Sequence, residues 1–307
     1  MQVFTGERGD YHRTRLTHTQ EVSSLARTIG RALRLNEDLV EALALLHDIG
    51  HPPYGHAGED ALDDALGPDE HFSHNRYALT VVEELEQRYP AFPGLNLSDE
   101  VLESQRTRID KVAPDRHPLL EAQLVDAADS MTYDAHDTDD AIKLELLTLD
   151  DLCETALVAE ALKHVRRRHV IGDPTLLRVA VVHQLIERQV TDVLNRSAEA
   201  LARADFANAE EARMGEPGSE LAEQKLELER FLYARVYRHP ELIAVRSRAQ
   251  ERLHRMFERY QQQPELFPEK YRRRAEKVGV RQMAVDYLAG MTDRFCDDRY
   301  REMFPDE

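Results

Sequence analysis

Apolar positions recur along most of this chain at every third or fourth residue, which is the spacing of an amphipathic α-helix. Leu16, Val22, Leu25, Ile29 and Leu33 share one face of a predicted first helix. Runs in which β-branched and polar residues alternate are scarce, so little of the chain has the pattern of a strand. The pattern therefore predicts an all-α fold.

Capping and breaking residues set the predicted helix boundaries. Asn36 is a predicted N-cap for a second helix over Leu39 to His47, and Gly50 ends that segment. Two stretches, Tyr89 to Ser98 and Phe206 to Ser219, are predicted to be irregular. The remaining predicted helices cover Asn75 to Arg88, Leu119 to Leu147, Asp151 to Arg168, Pro174 to Ala204, Glu220 to Tyr237, Pro240 to Tyr260 and Val280 to Asp293.

The segment GHPPYGHAGED follows the second predicted helix. Pro52 and Pro53 cannot continue a helix, because proline lacks the backbone N–H and its ring clashes with the preceding turn. We therefore expect an exposed turn here that carries His51 and His56.

The chain has 307 residues, with 40 Lys and Arg against 58 Asp and Glu and a formal charge of −18. Such a field repels polyanions and argues against a protein that coats nucleic acid or an anionic membrane. Two basic clusters, Lys163 to His169 and Glu269 to Arg281, are either solvated helix faces or phosphate-binding patches. A nucleic-acid partner would depend on these clusters alone.

Cysteine usage and hydropathy indicate the compartment. Cys153 and Cys296 are far apart and form neither a CxxC pair nor a disulfide-rich pattern. No apolar run approaches the roughly 20 residues that a membrane-spanning helix needs, and the start MQVFTGERGD lacks the order of a signal peptide. We expect a soluble cytoplasmic protein with no membrane partner.

Candidate metal ligands occur in the first two predicted helices. His47 and Asp48 are adjacent at the end of an apolar helix, and they offer an imidazole nitrogen and a carboxylate oxygen to a divalent cation. His18 lies on the apolar side of the preceding helix, where an unpaired polar ring would be costly. These residues favour a metal site, and a capping or packing role is the alternative for each.

A stripe of acidic residues offers a further ligand. Asp126, Asp129, Tyr133 and Asp137 follow one another at spacings of three or four residues and share one helix face. Either the stripe faces water, or it lines a cavity in which a cation relieves the repulsion between the carboxylates. Tyr133 at its centre, with apolar residues flanking it, favours the cavity.

Six blocks that span nearly the whole chain resemble a known family. They are RTRLTH (13–18), HDIGHPPYGHAGE (47–59), FSHN (72–75), ADSMTYDAHD (128–137), VYRHP (236–240) and DYLAGMTDRF (286–295). The order of a histidine, a His-Asp pair and a distant Asp is similar to that of the HD superfamily of metal-dependent phosphohydrolases. All six blocks resemble its dGTPase-like branch, and the second and sixth blocks are specific to that branch.

The resemblance implies the fold and the ligand set. An HD-domain helical bundle over 1–150 would hold the metal site, and additional C-terminal helices over 151–307 would pack on it in one continuous globular unit. The metal ligands would be His18, His47, Asp48 and Asp129, with Asp126 competing for the fourth position. The ion would be Mg, Mn, or a transition metal such as Ni, Fe, Co or Zn, because such sites accept several metals.

Family members cleave a dNTP into a deoxynucleoside and triphosphate through attack of water at the α-phosphorus. By this resemblance dGTP is the expected substrate, and activity on all four dNTPs is the open alternative. His56 matches the catalytic histidine and Glu59 the carboxylate that orients its ring, while His51 and His74 match residues that face the phosphates. His71 has no expected role.

Three further positions match substrate-binding residues of the family. Arg15 would hold phosphate oxygens bidentately. Tyr133 would pack below C2′ and leave no room for a 2′-hydroxyl, and Asp137 would accept a hydrogen bond from the 3′-hydroxyl. Relatives commonly form tetramers or hexamers with allosteric nucleotide sites, so a homo-oligomer and an effector nucleotide are expected partners.

The chain departs from the family at two places, and two other functions stay open. Many relatives carry a few dozen residues ahead of MQVFTGERGD, and Ser130 stands where Asp or Lys is common. One alternative is an HD-type 5′-deoxynucleotidase acting on monophosphates. The other is a nucleotide-sensing or single-strand-binding regulator with a vestigial metal site, in which the Lys163 and Arg272 clusters would bind.

Overall fold

The structure is a computed structural model that describes residues 14–109, 117–206 and 208–305. Residues 1–13, which include the MQVFTGERGD start and Arg13 of the first block, lie outside this part. Fourteen α-helices cover most of the described residues, and the only β-type pairing among them is a single bridge between Gln87 and Gly94. The predicted all-α fold is therefore confirmed.

The helices are numbered here in chain order. They are α1 Arg15–Ala32, α2 Glu37–Leu46, α3 His56–Leu66, α4 His74–Thr80, α5 Asp99–Ile109, α6 Leu120–Lys143, α7 Leu149–Leu152, α8 Ala156–Arg168, α9 Pro174–Arg203, α10 Ser219–Leu232, α11 Pro240–Gln262, α12 Glu269–Val278, α13 Val280–Ala289 and α14 Asp293–Met303. Single π-helical turns extend α4 over Val81–Leu85 and α10 over Tyr233–Tyr237. Short 3₁₀ turns occur at Ala209–Glu211 and Pro264–Leu266.

The described residues divide into two compact units. Unit 1 contains residues 16–45 and the described residues between 117 and 243. Unit 2 contains residues 14–15, 46–109 and 244–305. Each unit is thus assembled from segments that are distant in sequence, and the predicted division at residue 150 stays a prediction.

In unit 1, α6 packs against α9 and α10, and α8 packs against the same two helices. The buried face of α6 includes the apolar side chains of Leu124 and Met131. Gly30 of α1 allows a close approach, because a Cβ there would lie 3.3 Å from Val40 and 3.4 Å from Leu124. Asp173 caps α9 by accepting hydrogen bonds from two backbone amides of its first turn, at 2.7 and 3.1 Å.

In unit 2, residues from α3, α11, α13 and α14 form one hydrophobic core. The rings of Tyr260 and Phe267 stack with centroids 4.6 Å apart, and Tyr287 meets both of them edge to face. Leu62 of α3 is fully buried in the same core. This packing fixes α3, the helix that begins at His56.

The predicted helices over Leu16 to Leu33 and Leu39 to His47 are present as α1 and α2. The predicted N-cap is also confirmed, since the side-chain oxygen of Asn36 accepts a hydrogen bond from the backbone amide of Leu39 at 3.2 Å. The helix predicted over Asp151 to Arg168 is wrong at its start, because α7 ends at Leu152 and α8 begins only at Ala156.

Four helices, α3, α5, α12 and α14, escaped the sequence prediction. Their apolar stripes are short or interrupted: α12 has the sequence EKYRRRAEKV and buries none of its residues, and α14 buries only Cys296. The helix predicted over Val280 to Asp293 ends at Ala289, where α13 stops and a short turn leads to α14. Hydrophobic periodicity therefore detected the long buried helices and missed the short charged ones.

Two absences hold for the described residues. None of their helices combines the length and the apolar character that crossing a bilayer requires. Cys153 and Cys296 are both unpaired thiols, so no disulfide joins them.

Gly50 offers a test of how closely the turn after α2 packs against α4. A Cβ on Gly50 would lie 2.0 Å from the carbonyl oxygen of His74 and 2.6 Å from the amide nitrogen of Ala78. We expect Gly50→Ala to lower the free energy of unfolding by about 1–3 kcal/mol, the usual cost of overpacking, as measured by urea unfolding. Gly172→Ala is the control, because a Cβ there meets nothing within 4 Å, and equal stability of the two variants would contradict this packing.

Candidate active site

The predicted His-Asp pair lies in unit 2, in the turn that follows α2. The side chain of His47 is buried, and its Nε2 atom lies 3.5 Å from Oδ2 of Asp48. The other oxygen of Asp48 lies 3.4 Å from Nε2 of His51. Asp48 therefore contacts two imidazoles, one on each side of it in the sequence.

The four predicted catalytic residues lie together in unit 2, where three imidazoles surround the carboxylate of Glu59. Oε1 of Glu59 accepts a hydrogen bond from the backbone amide of His74 at 3.0 Å and lies 2.7 Å from its Nδ1. Oε2 of Glu59 lies 3.3 Å from Nδ1 of His56. The ring of His51 stacks on that of His74 with centroids 3.9 Å apart, and it meets His56 edge to face at 5.0 Å.

Side-chain ligand atoms of His51, Glu59 and His74 lie within 4.8 Å of one another, which is close enough to surround a cation. The hydrogen bond between Glu59 and His74 already accounts for two of these three groups. We therefore interpret the cluster as an acid–base group.

Local charges give these histidines different protonation preferences. The hydrogen bond with Glu59 raises the pKa of His56 and outweighs the opposing effect of burial. Burial opposes ionisation of Glu59, but hydrogen bonds with His56 and His74 bring its pKa well below the ordinary value. Burial lowers the pKa of His51 in spite of its contact with Asp48. His56 thus favours the protonated state, whereas His51 favours the neutral state.

The expectation of an exposed turn at residues 51–55 is wrong. His51 is 8% exposed and Tyr54 5%, whereas the side chain of His56 is 67% exposed. Tyr54 belongs to the hydrophobic core of unit 2, which draws the turn inward. The end of this turn has left-handed backbone at Tyr54, with φ 64°, and at Gly55, with φ 59°.

Arg15 and Asp293 hold this buried turn in place. The guanidinium of Arg15 donates hydrogen bonds to the carbonyl oxygens of His51, at 2.6 Å, and Pro52, and it lies 3.2 Å from Oδ1 of Asp293. The same carboxylate oxygen accepts a hydrogen bond from the backbone amide of Tyr54 at 2.9 Å. The phosphate contact of Arg15 stays a prediction, and Asp293 is a residue that sequence reasoning missed although it lies in the sixth block.

In unit 1, His18 of α1 lies beside Asp129 of α6, with Nε2 of the ring 3.0 Å from Oδ1 of the carboxylate. On the opposite side of the ring, Nδ1 of His18 lies 3.2 Å from Nδ1 of His136. Nε2 of His136 in turn makes a short hydrogen-bond contact with Glu21. His136 and Glu21 have no role in the sequence prediction, although His136 belongs to the fourth block.

The predicted sugar-contacting residues of unit 1 lie around a second tyrosine. The hydroxyl of Tyr237 donates a short hydrogen bond to the buried Asp137, and it makes a short contact with the hydroxyl of Tyr133. Burial, together with the Asp137 charge, raises the pKa of Tyr133, so this phenol is protonated. Tyr237 was missed as a site residue, although VYRHP is one of the six blocks.

Each unit holds half of the predicted metal-ligand set. His18 and Asp129 belong to unit 1, and His47 and Asp48 belong to unit 2. Each half pairs an imidazole nitrogen with a carboxylate oxygen, a donor combination that suits a divalent transition metal. The donor chemistry therefore fits a metal ion without identifying it, and the full ligand set stays a prediction.

Comparison with known families agrees with this chemistry. The model of the HD domain matches residues 15–134, and the model of the phosphohydrolase-associated domain matches residues 216–302. An all-α chain with imidazole–carboxylate pairs in such a domain is a phosphohydrolase of the HD class.

Curated relatives narrow the class. A protein of Geobacter metallireducens is 38% identical over 99% of this chain and 83% of its own length. Proteins of Bartonella henselae and Brucella melitensis are 35% and 38% identical over 99% of this chain and 84% of their own lengths. All three are named deoxyguanosinetriphosphate triphosphohydrolase-like protein. The chain belongs to this dGTP triphosphohydrolase-like family.

The Glu59 carboxylate offers a test through pH. Glu59→Gln removes the charge that raises the pKa of His56. In this variant His56 should therefore lose its proton at a lower pH than in the wild type. If His56 acts as a general acid, activity falls as pH rises through its pKa, and the alkaline limb of kcat/KM for nucleotide hydrolysis moves to lower pH in this variant. Asp63→Asn is the control, because its carboxylate lies 3.2 Å from the exposed and incidental His71. An alkaline limb that stays in place in Glu59→Gln would refute the assignment.

Proposed function

We propose that this chain hydrolyses a deoxynucleoside triphosphate to a deoxynucleoside and triphosphate. dGTP is the expected substrate, and activity on all four dNTPs is the open alternative. The observation that carries the proposal is the group of His51, His56 and His74 around Glu59, with Asp48 in contact with His51. Acid–base groups beside a candidate metal ligand suit the hydrolysis of a phosphate ester.

His18, His47, Asp48 and Asp129 are the proposed ligands of one divalent ion, Mg, Mn or a transition metal. When bound, the ion supplies positive charge that neutralises the phosphates and makes the α-phosphorus more electrophilic. Holding the ion would require a free lone pair on one ring nitrogen of His18 and of His47, and the carboxylate forms of Asp48 and Asp129.

His56 is the proposed general acid. Its Nδ1 atom is held by Glu59, so Nε2 is the nitrogen that can deliver a proton to the substrate. Water supplies the new oxygen on the α-phosphorus, the bond between that phosphorus and the 5′ oxygen breaks, and the 5′ oxygen takes the proton from His56. The attacking water releases one proton to solvent, and solvent returns a proton to His56 after the products leave. The hydrogen bond to Glu59 keeps the ring in one orientation before and after the transfer.

His51, His74 and Arg15 are the proposed phosphate-facing residues. His51 and His74 are stacked, and Glu59 fixes His74 through both its backbone amide and its ring. Arg15 shapes the same region by holding the carbonyl oxygens of His51 and Pro52.

Selection of the deoxyribose is proposed to rest on Tyr133, Tyr237 and Asp137. The phenol of Tyr237 bridges the other two side chains, so Asp137 already has one donor and can accept a second from a 3′-hydroxyl. The ring of Tyr133 lies parallel to that of Tyr237 and would close the space below C2′. The expected homo-oligomer, its effector nucleotide and the cytoplasmic location stay predictions.

Product analysis tests the reaction directly. Metal-loaded protein incubated with dGTP is expected to release deoxyguanosine and triphosphate in equal amounts, resolved by anion exchange. His56→Gln should lower kcat by about 10²–10⁴-fold, the usual contribution of a general acid. His71→Gln is the control, since His71 is also exposed and lies beside a carboxylate. Release of pyrophosphate or single phosphates without triphosphate would exclude the proposed bond cleavage, and faster turnover of dGMP than of dGTP would favour a deoxynucleotidase.

Tyr133 offers a test of sugar selection. Tyr133→Ala should raise kcat/KM for GTP relative to dGTP by about tenfold or more, because it removes the ring proposed to exclude the 2′-hydroxyl. Competition between the two nucleotides in one reaction measures the ratio. Tyr89→Ala is the control, since Tyr89 is exposed and packs on Phe92. An unchanged preference in Tyr133→Ala would remove the proposed role.

A further inference from the structure

Two side chains of unit 1 extend from His18 on the side opposite to Asp129. Nδ1 of His136 lies 3.2 Å from Nδ1 of His18, and Nε2 of His136 makes a short hydrogen-bond contact with Oε2 of Glu21. The rings of His18 and His136 meet edge to face with centroids 5.3 Å apart. The proposed reaction uses neither His136 nor Glu21.

The positions of the ring protons decide which nitrogens of His18 and His136 donate hydrogen bonds. Metal binding through Nε2 of His18 requires a lone pair on that nitrogen, so the proton of the neutral ring must be on Nδ1. Nδ1 of His136 is in place to accept that proton's hydrogen bond. A neutral His136 that accepts a hydrogen bond at Nδ1 has its own proton on Nε2. From there it donates a hydrogen bond to the carboxylate of Glu21. With a metal ion on Nε2 of His18, the hydrogen bonds would therefore run from His18 to His136 to Glu21.

We propose that His136 and Glu21 are positioning residues, which fix the ring orientation and the tautomer of His18 so that Nε2 presents its lone pair to a divalent metal ion. This inference rests on the proposed ligand role of His18. A hydrogen bond from the second ring nitrogen to a carboxylate, here relayed through one imidazole, also makes the ligating nitrogen more basic.

The two helices supply these residues at matched spacings. Glu21 follows His18 by three residues on α1, and His136 follows Asp129 by seven residues on α6, so each pair shares one helix face. His136 is 3% exposed, and its ring is therefore held by its surroundings. The side chain of Glu21 is 53% exposed, so it can be replaced without leaving a buried cavity.

The test is Mn²⁺ binding by the full chain, measured by calorimetry. Glu21→Ala and His136→Phe are expected to weaken Mn²⁺ affinity about 10–100-fold, the usual effect of removing a partner of a metal-ligating histidine. Glu21→Gln keeps an acceptor and should recover part of the affinity. The visible spectrum of the Co²⁺-loaded protein should also change in Glu21→Ala, because it reports the ligand field and not the overall fold.

Glu41→Gln is the matched control, since Glu41 is an exposed carboxylate of unit 1 that pairs with Arg27 at 3.1 Å. It should bind Mn²⁺ with wild-type affinity. Wild-type affinity in Glu21→Ala, with His18→Ala weakened, would overturn this inference alone. Wild-type affinity in His18→Ala would overturn the ligand assignment and the inference together. If the wild type binds Mn²⁺ but releases no triphosphate, and Glu21→Ala still weakens binding, the proposed reaction fails and the positioning role is supported.

Discussion

The carboxylate of Glu59 accepts hydrogen bonds from two imidazole side chains and one backbone amide. An exposed histidine such as His56 would otherwise sample several ring orientations and titrate near its ordinary pKa. The shared carboxylate restricts the ring and favours its protonated form, which is the form that an acid catalyst needs. His74 is fixed by the same group, so one side chain arranges two of the three imidazoles, and the third, His51, stacks on His74.

A carboxylate can organise these rings only if the backbone brings them together. α2 ends at Leu46, and the proline pair keeps the segment after it from returning to helix. Left-handed backbone at Tyr54 and Gly55 then precedes α3, which begins at His56. Arg15 and Asp293 bind the carbonyl and amide groups of the turn, which are thereby satisfied away from water. Burial of Tyr54 in the core of unit 2 connects the position of the histidine cluster to the stability of that core.

In unit 1, too, neighbouring side chains orient a histidine ring. Asp129 faces one nitrogen of His18, and His136 faces the other. His18 therefore has a partner at both ring nitrogens, and His56 of unit 2 has Glu59 at its Nδ1. Orientation of imidazoles by carboxylates is a common device around metal sites, because it sets the tautomer as well as the direction of the ring.

Hydrophobic periodicity predicted the all-α fold and the long helices, since helices such as α6 and α9 bury a regular apolar face. It did not predict α12, whose residues are all at least partly exposed, because its sequence has no sustained apolar stripe. The resemblance of the sequence motifs to a known family indicated His51, His56, Glu59 and His74, which the fold brings together.

Sequence reasoning did not find Asp293, Tyr237 or Glu21, because the contacts of these residues join segments that are distant in sequence. The buried turn was also mispredicted, since prolines show where a helix stops but not which surface covers the residues after it.

The most direct test of the central claim is the destination of water oxygen during turnover. Hydrolysis of dGTP in water enriched with oxygen-18, followed by mass spectrometry of both products, should place the label in the triphosphate and none in the deoxyguanosine. Label in the deoxyguanosine hydroxyl would show that water attacks the 5′ carbon, and label in orthophosphate or pyrophosphate would show cleavage at another phosphorus. Either result would contradict the account.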